Sequence, residues 1–205
     1  MERRTTIEIA QSIMGDNFIG VNELDKISSI LKLKSSNFIP EIKFSIEELK
    51  LKSENYILIL GTKEMCDDAP LNILNLRKLF GTDPSQEPCF YNQDWYINEK
   101  FVKKTLEYDW YLIRKEIFSE SRGVEPEHLL KNFNFPSAIL VTYLFFVYWV
   151  LNNKILFETE YVWCEDLDDN GDRIYVGRYN DIKGINKSGF SIHRHLKLSQ
   201  IYGAV

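Results

Sequence analysis

Residues 136–151, PSAILVTYLFFVYWVL, run without a single charge and almost without polar side chains. A helix built from them is apolar around its whole circumference, so it needs cover on every side rather than on one stripe. Crossing the hydrocarbon core of a bilayer takes about 20 such residues, and this run stops at Asn152, Asn153 and Lys154. The reading is therefore a central helix enclosed by the rest of the fold, with no membrane span. Asn134 is expected to cap its start, and Pro136 suits the first turn. A chain of 205 residues with 44% hydrophobic content can supply that cover within one domain, so a single compact domain over residues 1–205 is expected.

The rest of the chain supplies helices and strands to surround it. Leu24, Ile27, Ile30 and Leu31 recur at helical spacing between Asn22 and Leu33, and Ser45 with Glu48 forms a capping-box pattern ahead of a short helix to Lys52. Tyr56 to Leu60 reads as a buried strand. Pro70 to Phe80 repeats a helical pattern through Leu71, Leu74, Leu76 and Leu79, and Gly81 sits where that helix ends. Pro84 and Pro88 mark a loop. An aromatic stretch follows, with Phe90, Tyr91, Trp95, Tyr96, Phe101, Tyr108, Trp110 and Tyr111 close together, and Glu107 to Ile117 reads as a strand. Such rings can bind ligands, but they usually pack.

Residues 158–179 form the clearest local signal. Tyr161 to Trp163 and Ile174 to Tyr179 favour strands, and Asp168, Asp169, Asn170 and Gly171 between them favour a tight turn. A C-terminal β-hairpin is expected there, and Phe190 to Leu198 reads as a further strand. The element order points to an α+β fold with a largely antiparallel sheet, a buried central helix near 136–151 and that hairpin, rather than to repeated βαβ units.

Candidate chemistry is sparse. Asp166, Asp168, Asn170 and Asp172 alternate as in the start of a calcium loop. An EF-hand also needs a bidentate carboxylate at its twelfth position, which is Gly177 here, and needs flanking helices where this chain has strands. An EF-hand is excluded. A weaker calcium or magnesium site stays open, beside the simpler reading that Asp and Asn suit a solvated turn. His193 and His195 would share one strand face, yet a catalytic zinc also needs a third ligand, and no HExxH or CxxC supplies it. His128 or a hairpin acid could complete such a set only through the fold.

Gly61, Thr62 and Lys63 lack P-loop spacing, and there is neither a GxGxxG nor a GxSxG motif. Cys66 and Cys89 are candidate nucleophiles beside His128, although a free cysteine more often behaves as a small buried hydrophobe. The three cysteines, with Cys164, are too few and too scattered for a disulfide framework, which suits a reducing compartment. The N-terminus shows no apolar core with a small-residue cleavage site, so no export signal is expected. The net charge of -5 argues against a protein that grips phosphates. Lys100, Lys103 and Lys104 near Trp95 and Trp110 make a possible basic-aromatic face, interrupted by Glu99, Glu107 and Asp109.

The motifs MGDNFIG, DWY with RK, PSA at the start of the apolar run, LFE and DDNGDRIYVGRY, taken in order, resemble a family of bacterial proteins of unknown function found among prophage or mobile-element genes. The likeness spans most of the chain and implies a bacterial or phage, intracellular setting, and a cytoplasmic location is expected. Family members carry a second acidic Asp-Gly turn after the hairpin. This chain instead has Tyr179, Asn180, Asp181, Ile182, Lys183 and Gly184, which weakens a two-turn metal site. The resemblance brings no catalytic residues.

The resulting expectation is a non-enzymatic protein, without a resident cofactor, that binds another macromolecule, a protein rather than nucleic acid. Trp95, Tyr96, Trp110, His193 and His195 are its candidate surface residues. The alternative is a metal-dependent hydrolase or nuclease using loop 165–172, with Glu165, His193 and His195 around a calcium, magnesium or zinc ion.

Overall fold

The computed structural model describes residues 4–34, 38–180, 188–194 and 198–205. The chain is α+β with mixed sheets, and its contacts divide it into two compact units, residues 1–71 with 106–115 and residues 72–105 with 116–205.

In the first unit, α1 (Ile7–Met14), β1 (Phe18–Ile19), α2 (Val21–Leu31), α3 (Ile46–Lys52), β2 (Tyr56–Leu60) and β3 (Trp110–Arg114) follow one another. The sheet order is β1-β2-β3, with β1 parallel and β3 antiparallel to β2. The central strand is buried from Ile57 to Leu60, as its uninterrupted apolar run requires. Ser45 Oγ accepts the Glu48 N–H at 3.1 Å and so starts α3. Along α2, Leu24, Ile27 and Leu31 are buried, but Ile30 is 51% exposed. At 3.6 residues per turn it lies about 120° around the helix from Leu24, outside the stripe facing the core. The expected strand over 107–117 shortens to β3, where Trp110 is buried and its indole N–H donates to Pro40 O at 2.9 Å.

The second unit contains α4 (Ile73–Phe80), α5 (Pro126–Leu129), α6 (Ala138–Asn152), β4 (Tyr161–Leu167), β5 (Arg173–Tyr179), β6 (Gly189–Arg194) and β7 (Tyr202–Gly203). The charge-free run is indeed a helix buried from Ala138 through Val147. Ser137, not Asn134, caps it, since Ser137 Oγ accepts the Leu140 N–H at 3.3 Å. Asn153 in the left-handed region, at φ 51°, ends it. No helix among the described residues is long and apolar enough to cross a membrane. The α4 helix begins only at Ile73, because Asn72 Oδ1 takes the Asn75 N–H at 2.9 Å and fixes the start there.

The sheet runs β6-β5-β4-β7 and is antiparallel except for the β4–β7 pair. Alternation along the strands sends Val162, Ile174, Val176, Phe190 and Ile192 to one face, and there Phe190 meets Phe145 of α6 at 4.6 Å between ring centroids. Tyr161, Trp163 and Tyr175 take the other face and form a second core with Leu129, Phe135 and Ala204. The edge strand β6 is covered by the aromatic stretch: Tyr91 N–H donates to Phe190 O at 2.8 Å, and Phe190 N–H to Cys89 O at 2.9 Å. Gly189 permits this approach, because a Cβ there would stand 2.5 Å from the Tyr91 nitrogen.

Candidate functional site

The hairpin between β4 and β5 is irregular before it reaches its turn. Trp163 pairs with Tyr175 and Leu167 with Arg173, so Cys164, Glu165 and Asp166 together oppose Ile174 alone. A bulge of this kind frees backbone groups and re-aims side chains. Arg173 meets the freed carbonyls, donating through Nη1 to Cys164 O at 3.1 Å and Glu165 O at 3.2 Å. The Glu165 N–H goes to Pro136 O at 3.0 Å. Asp166 is turned inward and is 2% exposed. Its Oδ2 accepts the N–H of Ala138, the first residue of α6, at 2.6 Å, and its Oδ1 takes the Lys104 ammonium. That bond to Asp166 holds the Lys104 pKa above its ordinary value.

Asp168 organises the turn itself. Its Oδ1 accepts the backbone N–H groups of Asn170 at 2.9 Å and Asp172 at 2.8 Å, while Arg194 Nη1 donates to Oδ2 at 3.2 Å. Covering of the carboxylate by its own loop favours the neutral acid, but the bonds from Asp172, Arg194 and Asn170 outweigh this and hold its pKa below the ordinary value. Arg194 lies over the Trp95 ring at 5.3 Å. Also in the turn, Asp169 offers its N–H to Glu99 at 2.8 Å and its carboxylate to Lys100 at 3.1 Å. Leu167 stands out among these neighbours, 46% exposed.

The candidate metal ligands thus point to different places. Asp166 is engaged at the start of α6 and Asp168 within the turn, whereas Asn170 is exposed and donates to Asp168 through its backbone N–H and, at 3.5 Å, its side-chain amide. Among the described residues, no three His, Cys, Asp or Glu side chains form a group able to hold a metal ion. His193 is half-buried rather than exposed: its ring stacks on Tyr175 at 5.5 Å and meets Tyr161 edge-on at 5.7 Å. Burial lowers its pKa from the ordinary imidazole value. His195 lies outside the described residues.

Two of the candidate surface aromatics belong to cores instead. Tyr96 is 0% and Trp110 5% exposed, because rings of this size gain most from full burial. Trp95 is half-buried, and its indole N–H is engaged with Ile192 O at 3.1 Å on the β6 edge. The more exposed aromatic pair is Tyr91 with Tyr179, at 4.8 Å. Cys89 and Cys164 are both fully buried. Burial, helped by the Glu87 charge, pushes the Cys89 thiol up to about 11, which leaves it without a nucleophilic thiolate near neutral pH. Cys66 and His128 are exposed.

Sequence reasoning missed Lys104, Arg173 and Arg194, the cations that receive the hairpin's acids and carbonyls. The sequence marks Arg173 and Arg194 only by their place beside strand residues, and Lys104 only as part of a basic-aromatic face. The chain matches no family model, no curated protein and no solved structure with which it was compared.

Proposed function

We propose that this is a non-enzymatic protein that binds another protein through the tip of the β4–β5 hairpin. One observation carries the reading: Asp166 and Asp168 are turned inward onto protein donors, while the apolar Leu167 between them is turned out to solvent. A catalytic metal loop needs the reverse, carboxylate oxygens left open to an ion and to water. Here the bulge, the Asp168 bonds and Arg173 hold the tip in one shape, and a pre-formed loop loses little conformational freedom when it docks. Leu167 then serves as the anchor, with Asp169 and Asn170 as a polar rim. A setting inside a bacterial cell is part of this proposal, and what supports it is the resemblance of the sequence motifs to bacterial prophage-associated proteins.

The test is a photo-crosslinking amino acid placed at Leu167, with the same residue at Leu51 of α3, 84% exposed, as the control. A discrete protein adduct from position 167 only, weakened when Asp168→Ala loosens the turn, is the expected result. Adducts that are equal at both positions, or absent from 167, reject the proposal.

A further inference from the structure

In the first unit, and independent of the hairpin reading, β3 leaves one edge of its sheet open. Among the described residues it pairs with β2 alone. The Gly61 N–H reaches Asp109 O and the Lys115 N–H reaches Asn55 O, both at 2.9 Å, so the odd-numbered residues of β3 turn their backbone groups to β2. Leu112, at the centre of the strand, turns its N–H and C=O the other way, because the direction alternates along an antiparallel strand. Within the described residues neither group has a partner. The neighbouring Trp110 N–H closes on Asp109 Oδ1 at 2.9 Å.

The remaining edges among the described residues are short or closed. Strand β1 has two residues, Cys89 and Tyr91 bond along β6, and the Gly123 and Phe118 N–H groups take Tyr202 O at 3.1 Å and Ala204 O at 2.9 Å beside β7. An open five-residue edge without proline invites another strand. Its sequence is complementary to itself. When 109–115, DWYLIRK, runs antiparallel to a second copy about Leu112, Asp109 stands opposite Lys115, Tyr111 opposite Ile113, and Leu112 opposite itself. A slip of two residues keeps the hydrogen-bonding direction but sets Asp109 against Ile113 or Ile117. Asp109 also holds Lys43, and Lys115 donates to Asn17 Oδ1 at 3.2 Å. A carboxylate accepts further donors and an ammonium has further N–H groups, so the two can still meet across the contact.

We infer that two copies of this chain join through β3, antiparallel about a twofold axis at Leu112, so that their three-stranded sheets become one. Each Leu112 donates its N–H to the C=O of the other. The contact is small, so it forms and dissociates with concentration.

Sedimentation equilibrium of the full chain should show a monomer–dimer equilibrium. Leu112→Lys and Leu112→Glu each set like charges face to face at the axis and should each weaken the dimer about three- to tenfold. Mixed in equal amounts, the two variants should recover association, because opposite charges then meet. The parent gives a separate reading by amide exchange: on concentrating, the Leu112 N–H should exchange more slowly, while the Ile113 N–H, which faces β2, should not change. A parent still monomeric at about 1 mM leaves this edge to a strand of a different protein and overturns the inference. So does a dimer indifferent to both substitutions, a mixture that associates no better than either variant alone, or a Leu112 N–H whose exchange ignores concentration.

Discussion

Replacing Asp166 with Asn keeps the shape of the side chain and removes its charge from a place where the fold uses both oxygens. The carboxylate is 1% exposed, and its partners are the first N–H of α6 and the Lys104 ammonium. Asn can keep its oxygen toward Ala138, but its amide nitrogen then faces Lys104, donor against donor. Loss of one charge-assisted bond costs about 1.5–3 kcal/mol, and loss of a negative charge at the N-terminus of α6 about 0.3–1 kcal/mol more. Lys104 is 54% exposed in its side chain, so it turns to water and recovers part of this. A net loss of about 2–3 kcal/mol is expected, read as a lower urea midpoint at unchanged slope. A double-mutant cycle with Lys104→Met should show a coupling of about 1 kcal/mol. If Asp166→Asn lies within about 0.5 kcal/mol of the parent, desolvation of the carboxylate cancels its bonds and the reasoning fails.

Phe146 of α6 is fully buried, stacked on Phe80 at 4.2 Å and Phe90 at 4.8 Å. Phe146→Ala should therefore cost about 3–5 kcal/mol in the same urea assay, and a loss near that of a surface substitution would contradict its place in the core. Because burial lowers the folded-state pKa of His193, the unfolded chain takes up its proton first on acidification. Stability from this group is complete above the ordinary imidazole value, falls as the pH drops below it, and levels off once the pH passes the folded value. An NMR titration of the His193 ring should report a pKa below the ordinary value, and His193→Gln should lose less stability over that window; a ring titrating at or above the ordinary value contradicts this.

The elements with strong periodicity or uninterrupted apolar runs were legible from residues alone. Helix α6, strand β2, and the β4–β5 hairpin all stand where their sequence places them, because burial on every side, burial of a central strand and turn chemistry are each written locally. The bulge was not legible. It depends on Arg173 and on Pro136, whose pairing with Glu165 spans distant parts of the chain, and no local pattern announces it. For the same reason Asp166 and Asp168 read as metal ligands: alternation shows four oxygen-bearing residues together, but not that Lys104, Ala138 and Arg194 already receive two of them. The aromatic stretch was ambiguous in another way, since Tyr96 in a core and Trp95 on a strand edge are neighbours with the same composition.

The most direct test of hairpin-mediated binding is the affinity of the crosslinked partner, once purified, for the parent protein and for Leu167→Lys. Leu167 is the exposed apolar residue at the tip, and an interface anchor of this kind loses more than about 1.4 kcal/mol when replaced by a charge, which is about tenfold in Kd. The account predicts at least that weakening for Leu167→Lys, with thermal stability unchanged and with Leu51→Lys binding like the parent. Equal affinity of the parent and Leu167→Lys would contradict it.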